Sequence, residues 1–170
     1  MEGGSVPQLE VKNGSDTAVF LAAGDVVTGG KQDRVLTVDV ILPPRTTQAV
    51  AVNCVEHGRW SEGATGTAFG YGGRAESGLK QTLHKDKDQG RTWEKVAELN
   101  AAKRVTLAAA GVDEAELAPS TGTYKASLDA DAVRERALPY ERAVAAALTG
   151  PSVVGVVVAI DGTVAGAELF

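Results

Sequence analysis

The sequence predicts an α+β fold, in which an antiparallel β-sheet or sandwich from the N-terminal strands plus a C-terminal β-hairpin carries two or three packed helices. Three observations support this fold class. Short β-branched and apolar runs, separated by turn residues, fill residues 8–60. Apolar residues adopt helical spacing within residues 79–150, and two alternating apolar runs make up residues 152–170. We expect one domain, 1–170, because 170 residues are enough to bury a substantial core.

The N-terminal part, residues 8–60, has the pattern of four or five strands joined by short turns. The run LEVKN alternates, TAVFLAAGDVV is broken by Gly24-Asp25, and TTQAVAVNCVE is a further β-rich run. The run RVLTVDVIL has a period of two until Pro43-Pro44 ends it. We expect its apolar face to look into the core; this face carries Leu36, Val38, Val40 and Leu42. Strands joined by such short turns favour an antiparallel sheet or sandwich.

The middle of the chain changes from loop to helix. Residues 61–78 are rich in glycine and show neither period, so we expect a long loop, and such loops in compact domains are often functional. In RTWEKVAELNAAKRV, Trp93, Val96 and Leu99 stand at helical spacing, and a short helix is expected to precede them.

The last part of the chain predicts a helix and a hairpin. A helix is expected from about Asp129, with Pro139 kinking or splitting it. Its apolar face would carry Val133, Ala137, Tyr140, Val144 and Leu148. Asp161-Gly162 is the strongest hairpin signal, because both residues tolerate positive φ. The sequence stops at Phe170 while still showing strand character, which fits either a terminal strand or a chain trimmed at its C-terminus.

Composition argues against several classes of partner. The net charge is −5 and the basic residues are scattered, so a nucleic-acid partner is not expected. A single cysteine allows no intrachain disulfide, and the N-terminus lacks the pattern of a signal peptide. No segment has the long apolar run of a membrane span, so we expect a cytoplasmic protein without a membrane partner. The two histidines and the acidic residues lack metal-ligand spacing, and neither a metal nor a cofactor is expected.

The first candidate site is the stretch GGKQDR, Gly29 to Arg34. Gly29 and Gly30 can adopt positive φ and present backbone N–H groups to an anion. The side chains add charge and hydrogen-bonding groups through Lys31, Gln32, Asp33 and Arg34. The spacing matches neither a Walker loop nor a dinucleotide fingerprint. The alternative interpretation is a hairpin turn whose charges keep a sheet edge soluble.

The second candidate site is NCVEHGRW, Asn53 to Trp60. Glu56 could act as a general base, Arg59 could clamp an anion, and Trp60 could offer a stacking surface. On a strand, Cys54 and His57 would face opposite ways, which argues against a Cys–His dyad. The alternative is a core cysteine, a surface ion pair and an aromatic side chain lying on the sheet.

Two stretches together resemble a known family. These are AGDVVTGGKQDRVLTVDVILPP, Ala23 to Pro44, and AVNCVEHGRW, Ala51 to Trp60. They are similar to a bacterial domain of unknown function that is named for its association with ADP-ribosylglycohydrolase and rhodanese-phosphatase proteins. The C-terminal run VVGVVVAIDGTVAGAELF and the helix start TWEKV fit the same family. Members of this family continue past the position of Phe170, so the resemblance implies a short member or a fragment.

The resemblance implies a role near NAD or ADP-ribose metabolism. The positions matched by its motifs are Gly29, Gly30, Lys31, Gln32, Asp33 and Arg34, then Glu56, Gly58, Arg59 and Trp60. The first hypothesis is a domain that binds a small anionic or nucleotide-like ligand, with Asp33 and Glu56 as catalytic residues if it is an enzyme. The second hypothesis is a non-catalytic structural or interaction domain that assembles with itself or docks on a partner enzyme.

Overall fold

The computed structural model describes residues 7–62, 66, 68–113, 122–125, 131–148 and 152–169. The strands of this part are β1 Gln8–Lys12, β2 Val19–Leu21, β3 Asp25–Gly29, β4 Arg34–Leu36, β5 Val40–Leu42, β6 Thr47–Cys54, β7 Phe69–Arg74, β8 Gly155–Ile160 and β9 Thr163–Leu169. Its helices are α1 Ser77–Asp86, α2 Gln89–Ala109 and α3 Asp131–Ala147.

An antiparallel five-stranded sheet forms the centre of the fold, with the order β1-β6-β4-β3-β7. Strands β2 and β5 form a separate two-stranded sheet, and β8 and β9 form the C-terminal hairpin. With three helices beside these sheets, the α+β prediction is confirmed. Strand β4 lies between β6 and β3, so residues on both sides of the sheet are buried there, including Arg34.

The run RVLTVDVIL forms two strands instead of the single strand that its period predicts. Strand β4 ends at Leu36, and β5 pairs with β2, where Ile41 lies opposite Phe20. Between them Asp39 Oδ1 accepts a hydrogen bond of 2.7 Å from the Ala23 backbone N. A period of two reports which face a residue occupies but not where the chain changes its pairing partner, so the break left no signal in the pattern.

The glycine-rich stretch, expected as a loop over residues 61–78, contains β7 and the first residues of α1. Strand β7 pairs with β3, with Gly70 opposite Thr28 and a register shift between Val26 and Val27. Glycines carry no side chain and so contribute nothing to a pattern of alternating hydrophobicity. The strand was therefore not detectable by period.

Helices α1 and α2 cover the sheet and close the larger of the two core clusters. This cluster consists of Val26, Val35, Val55, Ala75, Leu79, Leu83, Val96 and Tyr124. The beginning of α2 is attached to the end of β6. The Gln89 side chain donates to Cys54 O at 2.9 Å and accepts from Cys54 N at 2.7 Å, and Asn53 donates to Thr92 Oγ1 at 2.8 Å. The last six residues of the second candidate site, 55–60, therefore follow directly from an anchored strand end.

The C-terminal hairpin confirms its sequence signal, because Asp161 and Gly162 both have positive φ, 50° and 79°.

Helix α3 is not split at Pro139. On its predicted apolar face Val133 and Ala137 are half-buried, whereas Tyr140, Val144 and Leu148 are exposed. Among the helices that the structure describes, none is both long and apolar enough to cross a membrane. Between α2 and α3, residues 114–121 and 126–130 lie outside the described residues.

Candidate functional site

Three charged side chains, those of Asp33, Glu56 and Arg59, converge at one end of the central sheet. Arg59 forms a bidentate ion pair with Glu56: Nε lies 2.8 Å from Oε1 and Nη2 lies 2.6 Å from Oε2. Arg59 Nη2 also lies 3.5 Å from Asp33 Oδ1. The side chain of Glu56 is only 4% exposed and that of Arg59 is 18% exposed, so this is an ion pair largely removed from water. We call these three residues the carboxylate–arginine cluster.

The backbone of Asp33 joins the β3–β4 turn to the residues that follow β6. Its N donates to Glu56 Oε2 at 3.0 Å, and its carbonyl accepts from Val55 N at 3.0 Å. Its side-chain Oδ1 accepts from Gly29 N at 3.0 Å and so closes the turn. Arg34 lies opposite Cys54 in the antiparallel pairing of β4 with β6, so the turn residues before β4 lie next to the residues after β6. The two motifs that the sequence analysis singled out are thus brought together.

Arg59 also links the β3–β4 turn to the residues after β6 through hydrogen bonds to backbone carbonyls. Its Nη1 donates to Gly30 O at 2.6 Å and to Ser61 O at 2.9 Å. With the pair to Glu56, the donors of this guanidinium are engaged inside the protein. In this arrangement Arg59 positions the surrounding chain, because its planar fork fixes carboxylate and carbonyl partners at once.

Thr123 completes the cluster from a distant part of the sequence. Its Oγ1 donates to Asp33 Oδ2 at 2.7 Å. The neighbouring backbone runs beside the end of β6, since Gly122 N donates to His57 O at 2.9 Å and Tyr124 N donates to Val55 O at 2.8 Å. Thr123 was not among the predicted site residues. It is separated by 90 residues from Asp33, and no local pattern in its stretch indicates this contact.

Gly29 and Gly30 have the positive φ that their sequence predicts, 128° and 52°. Their N–H groups are engaged in the protein: Gly29 N donates to Asp33, and Gly30 N donates to Ala68 O at 3.2 Å. Gly30 also packs against Phe69, whose ring a Cβ at position 30 would overlap, 2.9 Å from Cε2. The turn is therefore built for close packing on β7.

Lys31 and Trp60 lie on the surface beside the cluster. Lys31 Nζ lies 5.7 Å from the centroid of the Trp60 ring, and Trp60 is 58% exposed. Gln32 and Arg34 are inside: Arg34 is 0% exposed, and its Nη1 donates to Gln32 O at 3.1 Å and to Gln32 Oε1 at 3.2 Å. The predicted ligand-binding residues thus separate into a surface pair and an interior pair.

Cys54 is the last residue of β6, whereas His57 lies beyond the strand, so the two residues do not share the strand on which they were predicted to face opposite ways. Cys54 is buried, whereas His57 is exposed and its ring packs edge-on with that of Trp93, with 5.0 Å between centroids.

The Tyr124 ring lies in the core below, and burial raises the pKa of Tyr124 to about 12 because the phenolate would be cut off from water. Within the described residues, no group of three or more histidine, cysteine or acidic side chains is placed to hold a metal ion.

A family model matches the chain over residues 1–170. This model is described as ARPP-1, the ARG and Rhodanese-Phosphatase-superfamily-associated Protein domain. The resemblance seen in the sequence is thereby confirmed. Neither the curated proteins nor the solved structures gave a match.

Proposed function

We propose, on the premise that the chain belongs to the ARG and rhodanese-phosphatase-superfamily-associated protein domain family, that it binds a small nucleotide-like anion through Lys31 and Trp60. The observation that supports this proposal most is the set of hydrogen bonds from Arg59 to Gly30 O, Ser61 O and Glu56. These bonds hold the segment that carries Lys31 next to the segment that carries Trp60. The family's association with ARG and rhodanese-phosphatase proteins supports ADP-ribose or NAD as the class of ligand.

The cost of the carboxylate–arginine cluster supports a functional interpretation. Burying charged groups costs free energy that even a good ion pair only partly recovers, so simple turns rarely use them. Here the cluster fixes two loops relative to each other, which reduces the conformational entropy that a ligand would have to remove on binding.

The surface pair has the chemistry that a nucleotide needs. An exposed indole offers a flat face for a base, and a stacking contact of this kind contributes about 1–3 kcal/mol. The Lys31 ammonium next to it can pair with a phosphate group. Gln32 and Arg34 lie beneath this surface, and we assign them to its support.

The hydrogen bonds and burial of Asp33 and Glu56 favour a binding site over a catalytic role for these two carboxylates. Each oxygen of the two carboxylates accepts a hydrogen bond from the protein, from Gly29, Asp33, Arg59 or Thr123. A general base must reach a substrate proton, and the side chains of Glu56 and Asp33 are only 4% and 11% exposed, so both carboxylates are largely out of reach of a ligand at the surface. The Thr123 hydroxyl on Asp33 Oδ2 is the partner that a ligand hydroxyl could replace.

Substitution of Trp60 tests the proposed ligand surface. We expect Trp60→Ala to weaken ADP-ribose binding by roughly 5- to 150-fold, the equivalent of one lost stacking contact of about 1–3 kcal/mol. Lys31→Ala is expected to weaken it less, since an ion pair that remains in contact with water contributes about 0–1 kcal/mol. Isothermal titration calorimetry measures both, with Tyr140→Ala and Lys85→Ala as matched controls because these exposed side chains lie on α3 and α1.

The control variants decide how the calorimetry is interpreted. Equal affinity in Trp60→Ala and Tyr140→Ala would contradict the proposed surface. Absence of binding in the unsubstituted protein would contradict the ligand class as well. Both exposed aromatic rings are expected to be removable without loss of the fold, which thermal denaturation of each variant checks.

A second candidate function is self-assembly, and the β8–β9 hairpin is the observation that favours it. The hairpin forms its own two-stranded sheet and exposes Val157, Ile160 and Val164 at 63–67%. The hairpin contacts α1 through Glu168 and Lys80, and its apolar residues that stay exposed outside that contact favour cover by another surface. Size-exclusion chromatography with light scattering should then give a mass above that of the monomer, and Val157→Glu should return it to the monomer. A monomer at every concentration would contradict self-assembly.

A further inference from the structure

A groove of about 330 Å³ lies between the first turn of α1 and the inner face of the β8–β9 hairpin. It shares no lining residue with the carboxylate–arginine cluster. Its apolar walls include Leu99, Val156 and Val158, and Lys80 and Glu168 bring charge into it. A volume of this size is at the lower end of the range for small-molecule sites, so the groove would accommodate a small ligand.

Lys80 is held in this groove by its whole side chain. Its stem packs over Gly24, where a Cβ would lie 2.8 Å from Lys80 Cγ and Cδ. Its Nζ forms an ion pair with Glu168 Oε1. Arg74 lies on the far side of the same carboxylate, with Nη1 3.5 Å from Glu168 Oε2. The Lys80 side chain is only 21% exposed.

The surroundings of Lys80 favour its neutral amine more than water does. Burial, and then the nearby Arg74 cation, lower the pKa of Lys80 from its ordinary value. The ion pair with Glu168 acts in the opposite direction, and it keeps the nitrogen pointing at a proton acceptor. Two further carboxylates belong to this environment: Glu76 lines the groove, and Asp25 pairs with Arg74 at 3.1 Å.

We propose that Lys80 is a nucleophilic amine that forms an imine with a small aldehyde or ketone whose apolar body fills the groove. Lysines that form imines are activated by removal from water or by a neighbouring cation, and Lys80 is largely removed from water with Arg74 nearby. Glu168 is the proton relay of the proposal, since its carboxylate contacts the reacting nitrogen. This proposal is independent of the nucleotide-like ligand at Lys31 and Trp60.

The reaction is a condensation that releases one water. The lone pair of Nζ attacks the carbonyl carbon, the C–N bond forms, and the π electron pair of C=O moves to oxygen. Glu168 takes a proton from the nitrogen and returns it to that oxygen, which gives the carbinolamine. The nitrogen lone pair then forms C=N as the C–O bond breaks, and the hydroxyl group leaves as water with a proton taken from solvent. Glu168 accepts the remaining proton of the nitrogen and returns it to solvent, which gives the neutral imine.

Reductive trapping tests the proposal on the complete chain. Butanal is the probe, sodium cyanoborohydride reduces any imine formed, and peptide mass spectrometry measures alkylation at each lysine. Lys85 is the internal control, because it is exposed and belongs to the same helix α1. At neutral pH we expect Lys80 to be alkylated severalfold faster than Lys85. Lys80→Arg, which keeps the positive charge, should remove this label and leave that of Lys85 unchanged.

The pH dependence of the labelling distinguishes the proposal from simple accessibility. The Lys80 rate should reach its plateau at a lower pH than the Lys85 rate. In Glu168→Gln the plateau rate of Lys80 should fall severalfold, an effect that a change in pKa alone does not produce. Labelling of Lys80 no faster than Lys85 at every pH would overturn the proposal, and an unchanged plateau in Glu168→Gln would overturn the relay role of Glu168.

Discussion

Replacing Arg59 by methionine is expected to lower the free energy of unfolding by about 3–5 kcal/mol, because it leaves the Glu56 carboxylate buried without its partner. The Glu56 side chain is only 4% exposed, and its carboxylate accepts hydrogen bonds from both Nε and Nη2 of Arg59. The same substitution frees Gly30 O and Ser61 O from their shared donor. Urea denaturation of the two proteins, followed by circular dichroism, measures the difference.

Arg45→Met is the matched control for this effect. Arg45 also pairs with a carboxylate, that of Asp16 at 2.8 Å, but the two side chains are 63% and 83% exposed. Exposed pairs contribute little, so we expect Arg45→Met to cost less than about 1 kcal/mol. Removing both charges in the double variant Glu56→Met and Arg59→Met should cost less than Arg59→Met alone, since the Glu56 carboxylate is then no longer buried without its bidentate partner and only the 3.5 Å contact of Arg59 with Asp33 is lost in both variants. Equal costs for Arg59→Met and Arg45→Met would show that the cluster is not a buried ion pair.

Gly30→Ala is expected to destabilise the protein by about 2–5 kcal/mol, through two additive causes. At the left-handed φ of 52°, a residue with a Cβ lowers the stability by roughly 1–2 kcal/mol relative to glycine. The added Cβ would overlap the Phe69 ring, and overpacking of this kind costs about 1–3 kcal/mol. Thermal or urea denaturation measures the sum.

Gly66→Ala separates the two causes. Gly66 has a similar φ of 61°, but a Cβ there would meet nothing within 4 Å. We expect it to show the backbone cost alone, and Gly30→Ala to exceed it. Combining Gly30→Ala with Phe69→Leu should recover part of the loss, since the coupling of contacting residues is about 0.5–3 kcal/mol. If both glycine variants lose the same stability, the turn is not packed against Phe69 as described.

Much of the strand framework was predictable because local signals determine it. Alternation identified β1, a β-rich run identified β6, and Asp161-Gly162 identified the turn of the last hairpin. The break between β4 and β5 was missed because it depends on which strand each segment pairs with. Strand β7 was missed because its glycines carry no pattern.

The candidate site was predictable only in part, and for related reasons. Both motifs stood out by their density of charge, and the register of β4 on β6 brings them together. The contact of Thr123 with Asp33 spans 90 residues and follows from packing that no local spacing specifies. The sequence also gave no sign that Arg34 and Gln32 turn inward, whereas Lys31 and Trp60 meet at the surface.

The most direct test of the proposed ligand surface is an ADP-ribose titration of ¹⁵N-labelled protein followed by NMR. The chain has two tryptophans, so each indole N–H gives its own signal. Trp60 is exposed beside Lys31, whereas the Trp93 indole nitrogen is buried. We predict that the Trp60 indole and the Lys31 amide shift in a saturable way while the Trp93 indole stays unchanged. An unmoved Trp60 signal at millimolar ADP-ribose would contradict the proposal.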